Sequence, residues 1–376
     1  MKFLHISDLH LGKRLHGFSL LDDQRFFLFD HVLPLLKEEG IHVLVIAGDI
    51  YDAAIPPQEA VILLDEFLFR CAQDGIEVLM ISGNHDSSDR LSYGSRIFAS
   101  KAIHIATSVE DALHPIVIEG VNFYLLPFMK HHDVNGRFKT EFKDYASAAS
   151  FMVEQMHLDL SVPNVLVAHQ LVLPEGGEGA LVRSKSEEAT VGAIPNFPSE
   201  IFKDFTYVAL GHIHKPQKVG ANAYFCGCPI KYHVDEAKNE KHFNIVTIEN
   251  GKFTLETRPI VPLHDLVIEE GTFEDVIRRP SSEDYVAVVL KDDVPIEGAM
   301  DKIRAANFKR CVAIDYPNIG GVDLDLDEAP DISSEPPEAL LEKFYENVMG
   351  NPLTDYQKQT AMELLEKAKG GTHEAD

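Results

Sequence analysis

A chain of 376 residues is too long for one small core and predicts a large domain with one or more smaller modules. Apolar residues at 45% and charged residues at 25% are ordinary globular values, and no run approaches the roughly 20 continuous apolar residues of a membrane span, so no membrane contact is expected. The net charge of −26 speaks against an extended basic surface for nucleic acid, but the excess is uneven, since residues 264–376 hold 11 Lys+Arg against 26 Asp+Glu.

The start, Met1-Lys2-Phe3-Leu4-His5-Ile6-Ser7, passes straight into a polar, acidic motif without the apolar core of a secretory signal, which predicts a cytoplasmic protein. Residues 2–7, 42–47, 76–82 and 164–168 are short, β-branched, nearly all-apolar runs that read as buried strands, each ending in a polar motif. Between them, 22–39 and 57–74 carry apolar residues at helical spacing, with Asp22 as N-cap, Pro57 as a start signal and Gly75 as a stop. Strand, polar loop, helix, strand is the pattern of an α/β fold. Further strands at 115–118, 121–126, 206–210, 222–226, 243–248 and 252–257, with hairpins at Glu119-Gly120 and Asn250-Gly251, predict a more antiparallel second half. Pro259 to Pro262 closes this region, and 264–320 reads strand, helix, strand, helix, strand, a small α/β module. Residues 321–337 are an acidic, proline-rich linker, followed by amphipathic helices at 338–349 and 353–368 that dock on a partner or pack on their own chain.

The chemistry stands at the ends of the apolar runs, in Asp8-Leu9-His10, Gly48-Asp49-Ile50-Tyr51-Asp52, Gly83-Asn84-His85-Asp86, Ala168-His169-Gln170 and Gly211-His212-Ile213-His214. A central sheet gathers strand ends at one edge, where α/β proteins place ligands. Mixed carboxylate and imidazole donors suit borderline divalent cations such as manganese, iron or zinc, whereas thiolates would select softer metals. Two cations can share a carboxylate, for which Asp49 is the candidate, and hold a phosphate between them. Asn84 is a neutral oxygen ligand, and His85 is a candidate acid for the leaving group, with Asp86 available to orient its ring. The four cysteines define no disulfide framework, and Cys226-Gly227-Cys228 reads as small residues packed beside a turn.

These motifs resemble the calcineurin-type metallophosphoesterase superfamily. The wording HISDLHLGK at 5–13, VIAGDIYD at 45–52, ISGNHDS at 81–87 and ALGHIHKPQ at 209–217 is similar to the SbcD branch of bacterial exonucleases and their double-strand-break-repair counterparts in archaea and eukaryotes. The resemblance implies a layered α/β/β/α core over 1–263, a small α/β capping domain at 264–320 that contacts DNA, the acidic linker at 321–337, and helices at 338–369 that bind the ATPase partner SbcC. It implies that Asp8, His10, Asp49 and His214 hold one metal, that Asp49, Asn84, His169 and His212 hold the other, and that His85 acts on the leaving group. Manganese is the implied metal. The implied activity is exonuclease cleavage of duplex DNA ends and endonuclease cleavage of single strands and hairpins, in DNA repair and recombination. A homodimer within a heterotetramer is also implied, formed through helices 22–39 and 57–74. One departure stands out: relatives outside bacteria often carry His where this chain has Asp52, so Asp52 is expected to support the ligands rather than act as a catalytic acid.

Two readings remain beside the nuclease. A small-molecule phosphodiesterase would share every metal ligand, and a scaffold subunit would keep structural metals without needing His85. His131-His132, with Lys130, Arg137 and Lys139, reads as a basic loop that either reaches phosphate or faces water, and 174–187 as a Gly-rich lid or a mobile insertion.

Overall fold

The structure, a computed structural model, describes residues 1–174, 177, 180–187, 196–319 and 357–358. The linker 321–337 and almost all of 338–369 lie outside the described residues. The chain divides into two compact units, Met1–Asp265 and Leu266–Asp376.

The first unit is built on strands β1 (Lys2–Ile6), β2 (Val43–Ala47), β3 (Glu77–Ile81), β4 (Ile103–Ala106), β5 (Ile116–Ile118), β6 (Val121–Leu126), β7 (Asn164–His169), β8 (Tyr207–Gly211), β9 (Gln217–Lys218), β10 (Ala223–Phe225), β11 (His242–Glu249) and β12 (Lys252–Pro259). They form two 6-stranded sheets, β12-β11-β1-β2-β3-β4 and β9-β10-β8-β7-β6-β5. The all-apolar runs conceal a period-2 division of labour. In β2, Val43, Val45 and Ala47 face the other sheet while Leu44 and Ile46 face helices, and in β7, Val165 and Val167 face the first sheet while Leu166 and Ala168 face helices. Both faces of each sheet are therefore buried, which is the α/β/β/α layering. Phe3, Phe123 and Tyr207 fill the space between the sheets with edge-on rings.

The second half of this unit is less antiparallel than the hairpin signals predict. β6, β7, β8 and β10 pair in parallel, and antiparallel pairing is confined to the β5–β6 and β9–β10 edges and to β11 with β1 and β12. Both hairpin turns do form, with Glu119, Gly120, Asn250 and Gly251 all at positive φ. They sit at sheet margins, where a local turn says nothing about how the central strands pair. The helix predicted over 22–39 begins at Leu21, so Asp22 lies inside its first turn rather than at its cap. It runs from Leu21–Phe26 through a π-helical stretch, Phe27–Val32, into Leu33–Glu38. The next helix, Gln58–Gln73, follows Pro57, and Gly75 comes just after it at positive φ. His131-His132 opens a helix, His131–Phe138, instead of lying in a loop. The short strand β4 carries no clear signal in the sequence.

The second unit has a parallel three-stranded sheet of Leu266–Gly271, Tyr285–Leu290 and Cys311–Asp315. Helices Phe273–Ile277 and Ala299–Ala306 cover it, burying Val276, Val288 and Ile303. Among the described residues, no helix is long and apolar enough to cross a membrane.

Candidate metal centre

The candidate ligands follow the carboxyl ends of parallel strands: Asp8 and His10 follow β1, Asp49 follows β2, Asn84 follows β3, His169 ends β7, and His212 and His214 follow β8. The β1–β2 pairing continues into the loops, as Asp8 N donates to Gly48 O at 3.0 Å, His10 N to Asp49 O at 3.0 Å and Leu11 N to Ile50 O at 2.9 Å. To make these bonds while turning the side chains inward, Asp8, His10 and Asp49 adopt φ of 53°, 42° and 48°, and His212 adopts 100°. Non-glycine residues avoid this region at a cost on the order of 1–3 kcal/mol each, and such strain concentrates at functional sites.

All seven candidate ligands fall into one connected cluster. His10 Nε2 and His214 Nε2 are 3.2 Å apart. Asp49 Oδ2 lies 3.6 Å from His10 Nε2 and 3.2 Å from His169 Nε2. The amide oxygen of Asn84 is 3.1 Å from His169 Nε2 and 3.0 Å from His212 Nδ1. Glycines make this approach possible. A Cβ on Gly48 would collide with the His169 ring, one on Gly83 with Asp49, and one on Gly211 with Ala47 O.

Supporting groups orient the donors. His169 pairs through Nδ1 with Ala47 O at 2.8 Å, and the His212 backbone N–H donates to Asp8 Oδ1 at 3.0 Å. Burial, reinforced by the charge on His169, pushes the His212 pKa down to about 3. Burial likewise lowers that of His10, despite Asp52 and Asp49. Both rings are neutral, the form that binds metal. Burial opposes charge on His169 as well, but the Asp49 carboxylate raises its pKa to about 9, so a proton here occupies a place that a cation would take. Nitrogen and oxygen donors, buried or half-buried and 3.0–3.6 Å apart, fit a pair of divalent cations.

His85 lies beside this cluster, its ring centroid 4.8 Å from that of His10. Its Nδ1 pairs with Asp52 O at 2.8 Å, which leaves Nε2 as the ring nitrogen available to another group. Asp86 does not orient this ring. Its carboxylate accepts from the N–H groups of Ile50, Tyr51 and Gly83 at 2.9–3.0 Å, stapling two ligand loops together, and burial together with the Asp49 charge raises its pKa to about 6. Asp52 places its carboxylate 3.3 Å from His10 Nδ1 and 3.0 Å from Lys13 Nζ.

Several supporting residues lie outside the sequence motifs. Gln24 donates to Leu9 O and His10 O and accepts from Gly12 N, and Tyr232 donates to Leu9 O at 2.6 Å. Neither carries a local sequence signal, since Gln24 stands among Asp22, Asp23 and Arg25 and Tyr232 between Lys231 and His233. Part of the segment 174–187 is packed against this site: Glu187 accepts from His214 N at 2.6 Å and Ser184 Oγ donates to Asp235 at 2.8 Å. Cys226 and Cys228 are buried free thiols, and Gly227 between them takes a positive φ against Pro216.

Residues 1–216 match the calcineurin-like phosphoesterases, and the chain belongs to that family, as a metal-dependent hydrolase of phosphoesters. Residues 262–349 match a second family, described as the type 5 capsule protein repressor C-terminal domain. Among curated proteins, the chain is 31% identical to the SbcD subunit of the nuclease SbcCD from Staphylococcus epidermidis, over 97% of its length and 98% of that protein. It is 31% identical, with the same coverage, to the corresponding SbcCD nuclease subunit of Staphylococcus saprophyticus. A crystal structure of a dimetal phosphatase from Danio rerio aligns with a TM-score of 0.40 at 13% identity, covering 69% of this chain and 96% of that one.

Proposed function

We propose that this chain is the nuclease subunit of an SbcCD-type complex, hydrolysing DNA phosphodiester bonds with a pair of Mn2+ ions. The observation that carries the reading is Asp49 Oδ2 lying 3.6 Å from His10 Nε2 and 3.2 Å from His169 Nε2, close to donors of both proposed metal positions as a shared ligand requires. Asp8, His10, Asp49 and His214 would hold one ion, and Asp49, Asn84, His169 and His212 the other. Such a pair supplies Lewis-acid stabilisation of the phosphoryl charge and activates water. The chain's own part is to direct four imidazoles toward the centre, with His10 and His212 held neutral by burial, and to present His85 Nε2 to the departing oxygen. Loss of that oxygen without a proton would leave an alkoxide, so His85 serves as general acid.

The reading extends to the rest of the chain. We assign 264–320 as the capping domain and 338–369 as the segment that binds SbcC. Basic side chains of the second unit are largely engaged by acids, as in Arg310–Glu283 at 2.9 Å and Lys291–Glu270 at 3.1 Å, so DNA affinity of the isolated chain is expected to be low and to fall steeply with salt. Duplex ends, hairpins and single strands are the expected substrates. The test is degradation of end-labelled duplex DNA by the purified chain, with Mn2+ or with chelator, with and without SbcC. Mn2+-dependent cleavage abolished by chelation is expected. Turnover of small phosphodiesters with no cleavage of DNA would favour a small-molecule phosphodiesterase, and inactivity on both would favour a scaffold role.

A homodimer belongs to the same reading. Ile62 and Phe69 on the helix Gln58–Gln73 are 47% and 62% exposed, and Tyr93 and Ile97 nearby are 84% and 72% exposed. Phe69, Tyr93 and Ile97, with Val61 and Leu68, line an apolar pocket of about 460 Å³. We assign this face to a second copy of the chain. Phe69→Glu is expected to convert a dimer to a monomer in light scattering after gel filtration; a wild-type chain that is monomeric at tens of micromolar would remove the assignment.

A further inference from the structure

His214 is gripped at three atoms by residues that none of the ligand motifs contains. Its backbone N–H donates to Glu187, its backbone carbonyl accepts from Lys241 Nζ at 2.9 Å, and its Nδ1 lies 3.3 Å from Glu236 Oε1. Lys241 Nζ also donates to Glu236 Oε2 at 2.7 Å and to Cys228 Sγ at 3.0 Å, so all three of its donors are used. Glu236 and Lys241 are buried.

His214, Cys228 and Glu236 also have the make-up of a metal site of their own. Lys241 argues against that use, because its ammonium already contacts both Cys228 and Glu236. A buried ion pair contributes little to stability by itself, since removing two charges from water costs several kcal/mol per ion. This pair is instead placed to act on an imidazole. A histidine that binds metal through one nitrogen needs an acceptor on the other to set its tautomer, and His214 directs Nε2 toward His10. The same arrangement recurs across the centre, where His10 is backed by Asp52 and Asp52 by Lys13. His169, by contrast, is backed by a backbone carbonyl.

We propose that Glu236 and Lys241 are positioning residues for His214, fixing its Nδ1–H tautomer and its backbone so that Nε2 is presented to one metal position. The inference rests on the two-metal reading above. Lys241 Nζ donates both to the Glu236 carboxylate and to the ligand's own carbonyl, so one ammonium braces both ends of the histidine.

The experiment is a titration of the metal-free full-length chain with Mn2+, followed by electron paramagnetic resonance of the free ion, for wild type, Glu236→Gln, Glu236→Ala, Lys241→Met and the Glu236→Gln/Lys241→Met pair. Wild type is expected to take up two ions. Glu236→Ala and Lys241→Met are expected to weaken one of them by roughly 10–100-fold and to leave the other unchanged. Glu236→Gln keeps an oxygen acceptor for Nδ1–H and is expected to lose less. The double variant, with no unpaired buried charge, is expected to recover affinity relative to Lys241→Met. Two ions bound with wild-type affinity by Glu236→Ala and Lys241→Met would overturn the proposal, as would equal weakening of both ions. If an alanine variant does not fold, the near-isosteric Glu236→Gln decides, since wild-type values for the nitrogen-15 shifts of His214 and for both Mn2+ affinities would overturn the proposal equally. A wild-type chain that binds no Mn2+ would overturn the two-metal reading and this inference with it.

Discussion

Asp49→Ala is expected to abolish hydrolysis, with a rate loss on the order of 10³-fold or more, and to remove at least one bound cation. The size follows from how much meets at this carboxylate. Oδ2 lies within 3.6 Å of both His10 Nε2 and His169 Nε2, and Oδ1 accepts the His85 backbone N–H at 2.9 Å. Its loss therefore removes the shared ligand, unties the loop bearing the proposed acid, and withdraws the charge that raises the His169 pKa. Cleavage of end-labelled duplex and Mn2+ stoichiometry are measured on the same preparation. Activity within about tenfold of wild type would exclude a bridging role, because a shared ligand contributes several kcal/mol of charge stabilisation.

His85→Leu is expected to lower kcat on DNA by about 10²–10⁴-fold while leaving both cations bound. Leucine keeps bulk but neither ring nitrogen, so it removes the Nε2 proposed to serve the leaving oxygen and the Nδ1 contact with Asp52 O. The general-acid assignment adds a sharper expectation. A phosphodiester with a p-nitrophenol leaving group needs no protonation, so its hydrolysis is expected to fall far less than DNA cleavage. Equal losses on both substrates, at unchanged metal content, would show that His85 positions the phosphate instead of protonating the leaving oxygen.

The candidate ligand positions are legible in the sequence because each sits at the end of an apolar strand or within a few residues after it. The run Val43–Ala47 must be buried on both faces, so its first polar successor, Asp49, emerges where the strand leaves the core. The same logic places Asn84 after Glu77–Ile81 and His212 after Tyr207–Gly211. Strand pairing is less legible. Turn chemistry at Glu119-Gly120 and Asn250-Gly251 identifies two hairpins, yet a parallel neighbour is specified by a distant strand, as β7 is for β8 through Val165–Tyr207. Asp86 departs from expectation for a related reason. Its adjacency to His85 suggests a side-chain partner, whereas three converging N–H groups from two loops offer more to a buried carboxylate.

By itself, the sequence determined the family, most of the strands and loops, and the candidate metal-binding residues, because these depend on residue type and local spacing. Only the tertiary structure decided which of the chain's acids and amines support them. Glu236 and Lys241 sit in an ordinary polar stretch among 60 Asp+Glu and 34 Lys+Arg, and nothing local separates them from solvated neighbours. Folding carries them against His214, more than 20 residues away, where water is excluded and each charge must find a partner. The positive φ of Asp8, His10, Asp49 and His212 was equally invisible, since no glycine marks those positions. The conformation is imposed by sheet pairing that continues past the strand ends, and it is this enforced geometry that turns scattered donors into one centre.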